Sequence, residues 1–342
     1  MRTHRLVLVL AATLVAVAPG LASALTFNLT YADGTSTEAR AGFAAAADRF
    51  SALLTDPITV NLNVGTVVIA NSGILGYADS SSQTLSYASV RDALRRDVTT
   101  PGDAVAVAGL TPSNSLTFQT NYFADSPNAD RSIPFDGSTT LMDVNLANAK
   151  ALGLRDANDP AQDGLIRFNT NFAFDYDPSD GIGADQYDFI GITTHEIGHA
   201  LGFVSGVDYV DGLPADTTQQ SGNIAFVQPL DLFRRSGVSM RLDMTANKTA
   251  KYFSLDNGLT GSDRLFSLGA SSRGDGRQAS HWKDNLGIGI LDPTAGRGEL
   301  LALTSNDRLA FDSIGYNAVP EPASLAALGL GALALLRRRR PA

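Results

Sequence analysis

The ten residues Thr194-His195-Glu196-Ile197-Gly198-His199-Ala200-Leu201-Gly202-Phe203 constrain this chain more tightly than any other stretch. An α-helix turns once every 3.6 residues, so two histidines four apart lie on one face of it. Imidazoles spaced in this way can grip a single metal ion. The carboxylate beside them, Glu196, is set to take a proton from water activated there. With four histidines and four glutamates among 342 residues, the HExxH pattern would arise by chance roughly 0.0005 times. The competing reading, two imidazoles and a carboxylate on a solvated helix face, leaves that scarcity unexplained.

The surrounding residues predict the helix that this chemistry needs. From Asp188 onward, Phe189, Ile190, Ile192, Thr193, Ile197 and Leu201 form an apolar side at helical spacing, and the histidines face elsewhere. An acidic residue at the start suits the helix dipole, and Gly202 after Leu201 suits a left-handed stop.

A catalytic zinc takes three protein ligands and keeps one position open. A third ligand ten residues after His195 would be Ser205, a poor zinc donor. A downstream Glu on a second helix would have to be Glu299, with Leu303 rather than Asp four residues on. What remains is His281, in Gly274-Asp275-Gly276-Arg277-Gln278-Ala279-Ser280-His281-Trp282, with Asp208 and Asp211 just past the helix as alternatives. A lone histidine is ordinarily a packing or hydrogen-bonding residue. Here the mature part of the chain keeps only three, and two of them are already committed to the motif.

At these residues the chain resembles the leishmanolysin-like metzincins. In that family HExxHxxGF is followed by a long insertion, a ligand His next to Trp, and a turn carrying Met beneath the metal. Here His281-Trp282 is followed by Ile288-Gly289-Ile290-Leu291-Asp292-Pro293-Thr294, with Leu291 in the Met position. Methionine there packs and does not ligate, so a leucine of similar volume can serve. The resemblance implies Zn²⁺ held by His195, His199 and His281, with Glu196 as the catalytic acid–base. It implies an α+β, zincin or metzincin-like fold: a twisted, mostly parallel sheet, long helices including the active-site helix, and a loop-rich C-terminal lobe. The implied activity is endoproteolysis of a polypeptide substrate. A surface or matrix protein with a structural zinc, and a zinc amidase acting on the cell wall, are the alternatives.

Both ends read as addresses. Residues 1–24 have Arg2 and Arg5, an apolar run from Leu6 to Val17, and Ala22-Ser23-Ala24, the pattern of a secretory signal peptide. At the other end, residues 319–342, Val319-Pro320-Glu321-Pro322 precedes fourteen apolar or small residues and then Arg337 to Arg340. Fourteen residues rise only about 21 Å as a helix, short of a comfortable membrane span. The tail resembles the PEP-CTERM sorting signal of Gram-negative bacteria; a plain single-pass anchor is the alternative. The resemblance implies processing by signal peptidase and an exosortase, contact with the membrane only transiently through the tail, and a secreted or cell-surface location.

Composition agrees with export. Cysteine is absent, so there are no disulfides and no thiolate ligands. Removing the six arginines and one glutamate of the two ends leaves 20 basic and 34 acidic residues, a net charge of about −14, which disfavours nucleic acid as a partner.

The remaining residues, 25–318, suit one large domain, with an N-terminal lobe to about 205 and an insertion and C-terminal lobe from about 206. Thr35-Ser36-Thr37-Glu38 reads as a capping box. It opens an amphipathic helix through Phe43, Phe50 and Leu54, and Ile58, Val60, Leu62 and Val64 then alternate as a half-buried strand. A second helix is predicted for Ser86 to Asp97, strands and loops for 98–135, a short helix for Met142 to Leu152, and a closing helix for Leu301 to Ile314. Leu165 to Phe174 reads as a strand; by the resemblance, it or a neighbour is the edge that pairs with extended substrate. Asp175-Tyr176-Asp177-Pro178-Ser179-Asp180-Gly181, with Asp185 and Asp188 following, resembles a Ca²⁺ loop. Its Gly is one place late for an EF-hand and no Glu closes it, so a solvated acidic loop is the stronger reading.

Overall fold

Alternation between apolar and polar residues begins as soon as the described chain does, and it builds the central sheet. The computed structural model describes residues 25–70, 73–121, 134–213, 225–237 and 241–319; the expected signal peptide and all but the first residue of the sorting tail lie outside them. The first half of the chain runs β1 (Thr26–Tyr31), α1 (Thr37–Leu53), β2 (Thr59–Val67), β3 (Gly76–Ser80), β4 (Ser82–Ser86), α2 (Tyr87–Arg96), α3 (Pro101–Ala108), β5 (Leu116–Thr120), β6 (Phe135–Thr139), β7 (Leu141–Asn145), α4 (Leu146–Ala151) and β8 (Gly164–Asn169). Then come β9 (Phe174–Asp175), β10 (Tyr187–Asp188), α5 (Phe189–Ala200), α6 (Gly206–Asp211), β11 (Arg234–Arg235), β12 (Leu242–Asp243), β13 (Lys251–Phe253), β14 (Leu265–Phe266) and α7 (Ser305–Ser313).

The main sheet has the order β1-β2-β8-β3. Its first three strands are parallel, and β3 joins antiparallel at the edge. Val60, Leu62 and Val64 of β2 are buried at every second position, as the pleat of a half-buried strand requires. Against this sheet α1 presents Phe43, Ala46, Ala47 and Phe50, and α5 packs on α1 through Phe189. The Phe189 ring lies 5.1 Å from Phe43 and 4.6 Å from Phe168. Each such aromatic burial stabilises the fold by about 1.5–3 kcal/mol, which makes this cluster the platform on which α5 sits.

The architecture is α+β with a largely parallel main sheet, and it corrects several expectations. The helices are not generally long: α1 has 17 residues, but α5 has 12 and α7 only nine. The N-cap of α1 is Ser36, whose side chain accepts from Ala39 N. Thr35 instead donates to Ala32 O, so the cap falls one residue later than predicted and, with Ala39 at the third helical position, the reciprocal Thr35–Glu38 box does not form. Residues 101–108, expected as strand or loop, form helix α3. Thr100 and Asp103 make a reciprocal capping box there and Pro101 takes the first turn, where its missing N–H costs nothing. Met142 lies in a strand rather than a helix, because β7 pairs with β4, and α4 starts only at Leu146. Finally, β8 stops at Asn169, short of Phe174, and lies inside the sheet; of the two strands offered, it or a neighbour, the one at an edge is the neighbour β3.

Small sheets build the rest: β12 runs parallel to β5, which pairs with β6, and β11-β13-β14 form an antiparallel trio. Among the described residues, no helix is long and apolar enough to cross a membrane.

Candidate metal centre

Helix α5 carries the two histidines, and its ends fix where they point. At the start, the Asp188 side chain accepts from Gly191 N at 2.7 Å, satisfying a first-turn N–H that has no partner within the helix. At the end, Gly202 adopts φ +115°, a conformation open to glycine at little cost. Gly202 N then donates to His199 O and Phe203 N to Gly198 O, both at 3.0 Å, the paired bonds of a Schellman stop. Asn145 of β7 donates to His199 O at 2.9 Å, and the Tyr316 hydroxyl donates to Leu201 O at 2.7 Å. The helix end is thus tied to two distant elements as well as to its own turn.

Three imidazoles meet at the cleft. His199 Nε2 lies 3.0 Å from His195 Nε2 and 3.1 Å from His281 Nε2, and the remaining edge is 3.3 Å. Among the described residues, this is the group of His, Asp and Glu side chains with metal-ligand spacing. Each Nδ1 faces a backbone carbonyl: Ile290 O at 2.9 Å for His195, Phe203 O at 2.8 Å for His199 and Gln278 O at 3.2 Å for His281. A carbonyl only accepts, so each Nδ1 holds the ring proton and each Nε2 is a bare lone pair.

Burial also keeps the rings neutral. It pushes His195 down to about 3 and His199 to about 4, and it holds His281 well below the usual histidine range. Three converging lone pairs without protons repel one another, and a cation between them removes that repulsion. Tetrahedral zinc with Zn–N bonds of about 2.0–2.1 Å spaces its nitrogens about 3.3 Å apart. The donor set fits that ion.

Glu196 is buried beside the triad and lines the same cleft. Burial pushes its carboxyl up to about 8, opposed by a hydrogen bond from the Ala78 backbone on β3. The cleft, about 610 Å³, is walled on one side by Gly73 to Ala78 of β3 and the turn before it. Gln278 and His281 form another wall, and Pro293 to Ala295 a third.

The segment after His281 runs beneath α5. Leu291 is fully buried, and its methyl carbons would lie 3.2 Å from a Cβ built on Gly198. A Cβ at position 198 would make Leu291 give way by a few tenths of an ångström. Trp282 is fully buried between Phe266 and Phe203. Its indole N–H donates to Asp307 at 2.8 Å. Asp307, on α7, also accepts from Ile290 N at 2.9 Å. One buried carboxylate therefore joins the neighbour of His281 to the residue whose carbonyl holds His195.

The rejected and alternative ligands have other work. Ser205 caps α6 and donates to Asp231. Asp208 accepts from Ala279 N and Ser280 N, and Asp211 accepts from Ser271 N. Glu299 accepts from Gly296 N. In the acidic loop, Asp175 accepts from Asp177 N and Gly183 N, and Asp177 accepts from Ser179 N. Those carboxylate oxygens serve the loop's own turns.

Sequence reasoning did not find β3, Asn145 or Asp307. The strand is short and polar, with no apolar alternation to mark it. Thr304-x-x-Asp307 is visible as a capping box, and the structure has one there. That signal marks a helix start, however, and not the second use of Asp307.

The PEP-CTERM protein-sorting motif matches residues 318–340. No curated protein and no solved structure matches the chain. The tail thus identifies an exosortase-processed protein, extracellular or at the cell surface of a Gram-negative bacterium.

Proposed function

We propose that the chain is a secreted zinc-dependent endopeptidase of metzincin type, with His195, His199 and His281 as ligands and Glu196 as the acid–base group. The observation that carries this reading is the meeting of three imidazole Nε2 atoms, 3.0–3.3 Å apart, next to a buried carboxylate. Zinc bound there supplies Lewis-acid charge and brings the pKa of a bound water to roughly 7.

The chain's own groups do the rest. The three carbonyls fix each ring's tautomer and orientation. Glu196 takes the proton of the attacking water and passes it to the leaving amine. The outer edge of β3, which pairs with no further strand among the described residues, borders the cleft, so an extended polypeptide can add there, held by main-chain hydrogen bonds. That open strand favours a peptide over a cell-wall amide. Leu291 packed under α5, where the family has its Met-turn, supports the metzincin comparison.

The test uses the purified secreted protein. Zinc is measured by mass spectrometry, and casein and peptidoglycan are digested side by side. We expect one zinc per chain and casein cleavage, with Glu196→Gln keeping the metal and losing about 10²–10⁴-fold in rate. Undiminished cleavage by Glu196→Gln would refute the role of that residue. Digestion of peptidoglycan alone would make the protein an amidase, and a full zinc site with no hydrolysis of either would make it structural.

A further inference from the structure

His281 lies 82 residues beyond His199 in the chain, and something must set its backbone at the triad. Helix α6 follows α5 almost directly, starting at Gly206. From it, Asp208 accepts Ala279 N at 2.5 Å and Ser280 N at 2.9 Å, and the Ser280 hydroxyl donates to the same carboxylate. Ser280 Oγ in turn accepts from Ser205 N at 2.8 Å. Ser205 and Gly206 are themselves held by the buried Asp231, through Ser205 Oγ and Gly206 N. The two residues before His281 are therefore fastened, through one carboxylate, to the segment that leaves the active helix. Asp211, on the same short helix, holds Ser271 N of the returning loop at 2.8 Å.

We propose that Asp208 is a positioning residue for the third ligand: its carboxylate is a template that docks the 279–280 backbone so that His281 Nε2 points at the other two imidazoles. This rests on the zinc reading above. The physical reason is entropic. A ligand delivered by a long, irregular segment must otherwise be ordered when the ion binds, at the expense of affinity. Two backbone N–H groups accepted by one carboxylate order it beforehand.

The test is a double-mutant cycle on zinc affinity, measured by chelator competition on the purified full secreted protein. Outer-shell partners of metal ligands typically contribute 10–100-fold in affinity, so Asp208→Asn should weaken zinc by about that factor. Since Asp208 acts through His281, adding Asp208→Asn to His281→Ala should cost almost nothing more. A purely structural role would lower affinity equally in both backgrounds. Ser280→Ala removes one of the three donors and leaves the carboxylate in place; it serves as the milder variant should Asp208→Asn fail to fold, and should weaken zinc several-fold. The absorption spectrum of the cobalt-loaded protein gives a second readout and should lose its tetrahedral intensity in Asp208→Asn. Tight zinc in wild type with unchanged affinity in Asp208→Asn and Ser280→Ala, or additive losses in the cycle, overturns the positioning role alone. Absence of zinc binding in wild type overturns the zinc reading and this inference with it.

Discussion

Replacing Asp307 by alanine should damage the fold and the centre together. Asp307 is fully buried and accepts from Trp282 Nε1 at 2.8 Å, Ile290 N at 2.9 Å and Thr304 N at 2.8 Å. The indole N–H and Ile290 N belong to buried residues and lose their acceptor once the carboxylate is gone. Two buried donors left without acceptors cost about 1–3 kcal/mol each, and removing a carboxylate that was itself expensive to bury returns part of this, for a net loss of about 3 kcal/mol. At about 2–4 °C per kcal/mol for a domain approaching this size, the melting temperature should fall by about 6–12 °C. Thermal unfolding followed by circular dichroism reads this directly. Asp307→Asn keeps one acceptor oxygen and should lose about half as much. If Asp307→Ala melts within about 2 °C of wild type, the carboxylate is not the tie between the His281–Trp282 segment and Ile290.

Three further outcomes follow from the same contacts. His281→Ala should lower zinc content well below one per chain and abolish casein cleavage while leaving the far-ultraviolet spectrum intact; full zinc in that variant would require a different third ligand. Leu291→Met conserves volume at a fully buried position under α5, so it should cost under about 1.5 kcal/mol and retain the metal. A larger loss measured by urea titration would mean the turn is shaped specifically for leucine. Asp97 is pushed up to about 7, first by burial and then by the charges of Asp56, Asp103 and Asp312. A carboxyl raised in the folded state gives stability that is present below its ordinary pKa of about 4 and is lost as pH climbs through its folded value. Melting curves from pH 4 to 8 should therefore show Asp97→Asn gaining on wild type as pH rises, and parallel curves would rule this coupling out.

The elements most legible in the sequence are those whose cause is local. Asp188 and Gly202 bracket α5, because capping and left-handed stops depend on residues within one turn of the helix end. The spacing of His195 and His199 needs nothing beyond the helical repeat. Scarcity pointed to His281, and the distances agree with its convergence on the pair. By contrast, β3 carries no periodic mark, α3 hides in a stretch rich in turn residues, and the strand character of Met142 depends on its partner β4.

By itself, then, the sequence determined the helix that carries His195 and His199, the carboxylate beside them, and the sorting motif at the C-terminal end, since each is written in contiguous residues. Only the tertiary structure decided which strand borders the cleft and which carboxylates bond to the residues on either side of His281. Asp208 meets Ser280 across 72 positions and Asp307 meets Trp282 across 25. Hydrogen bonds of that reach depend on how distant segments pack, and they leave no repeat, spacing or composition in the chain from which they could be read.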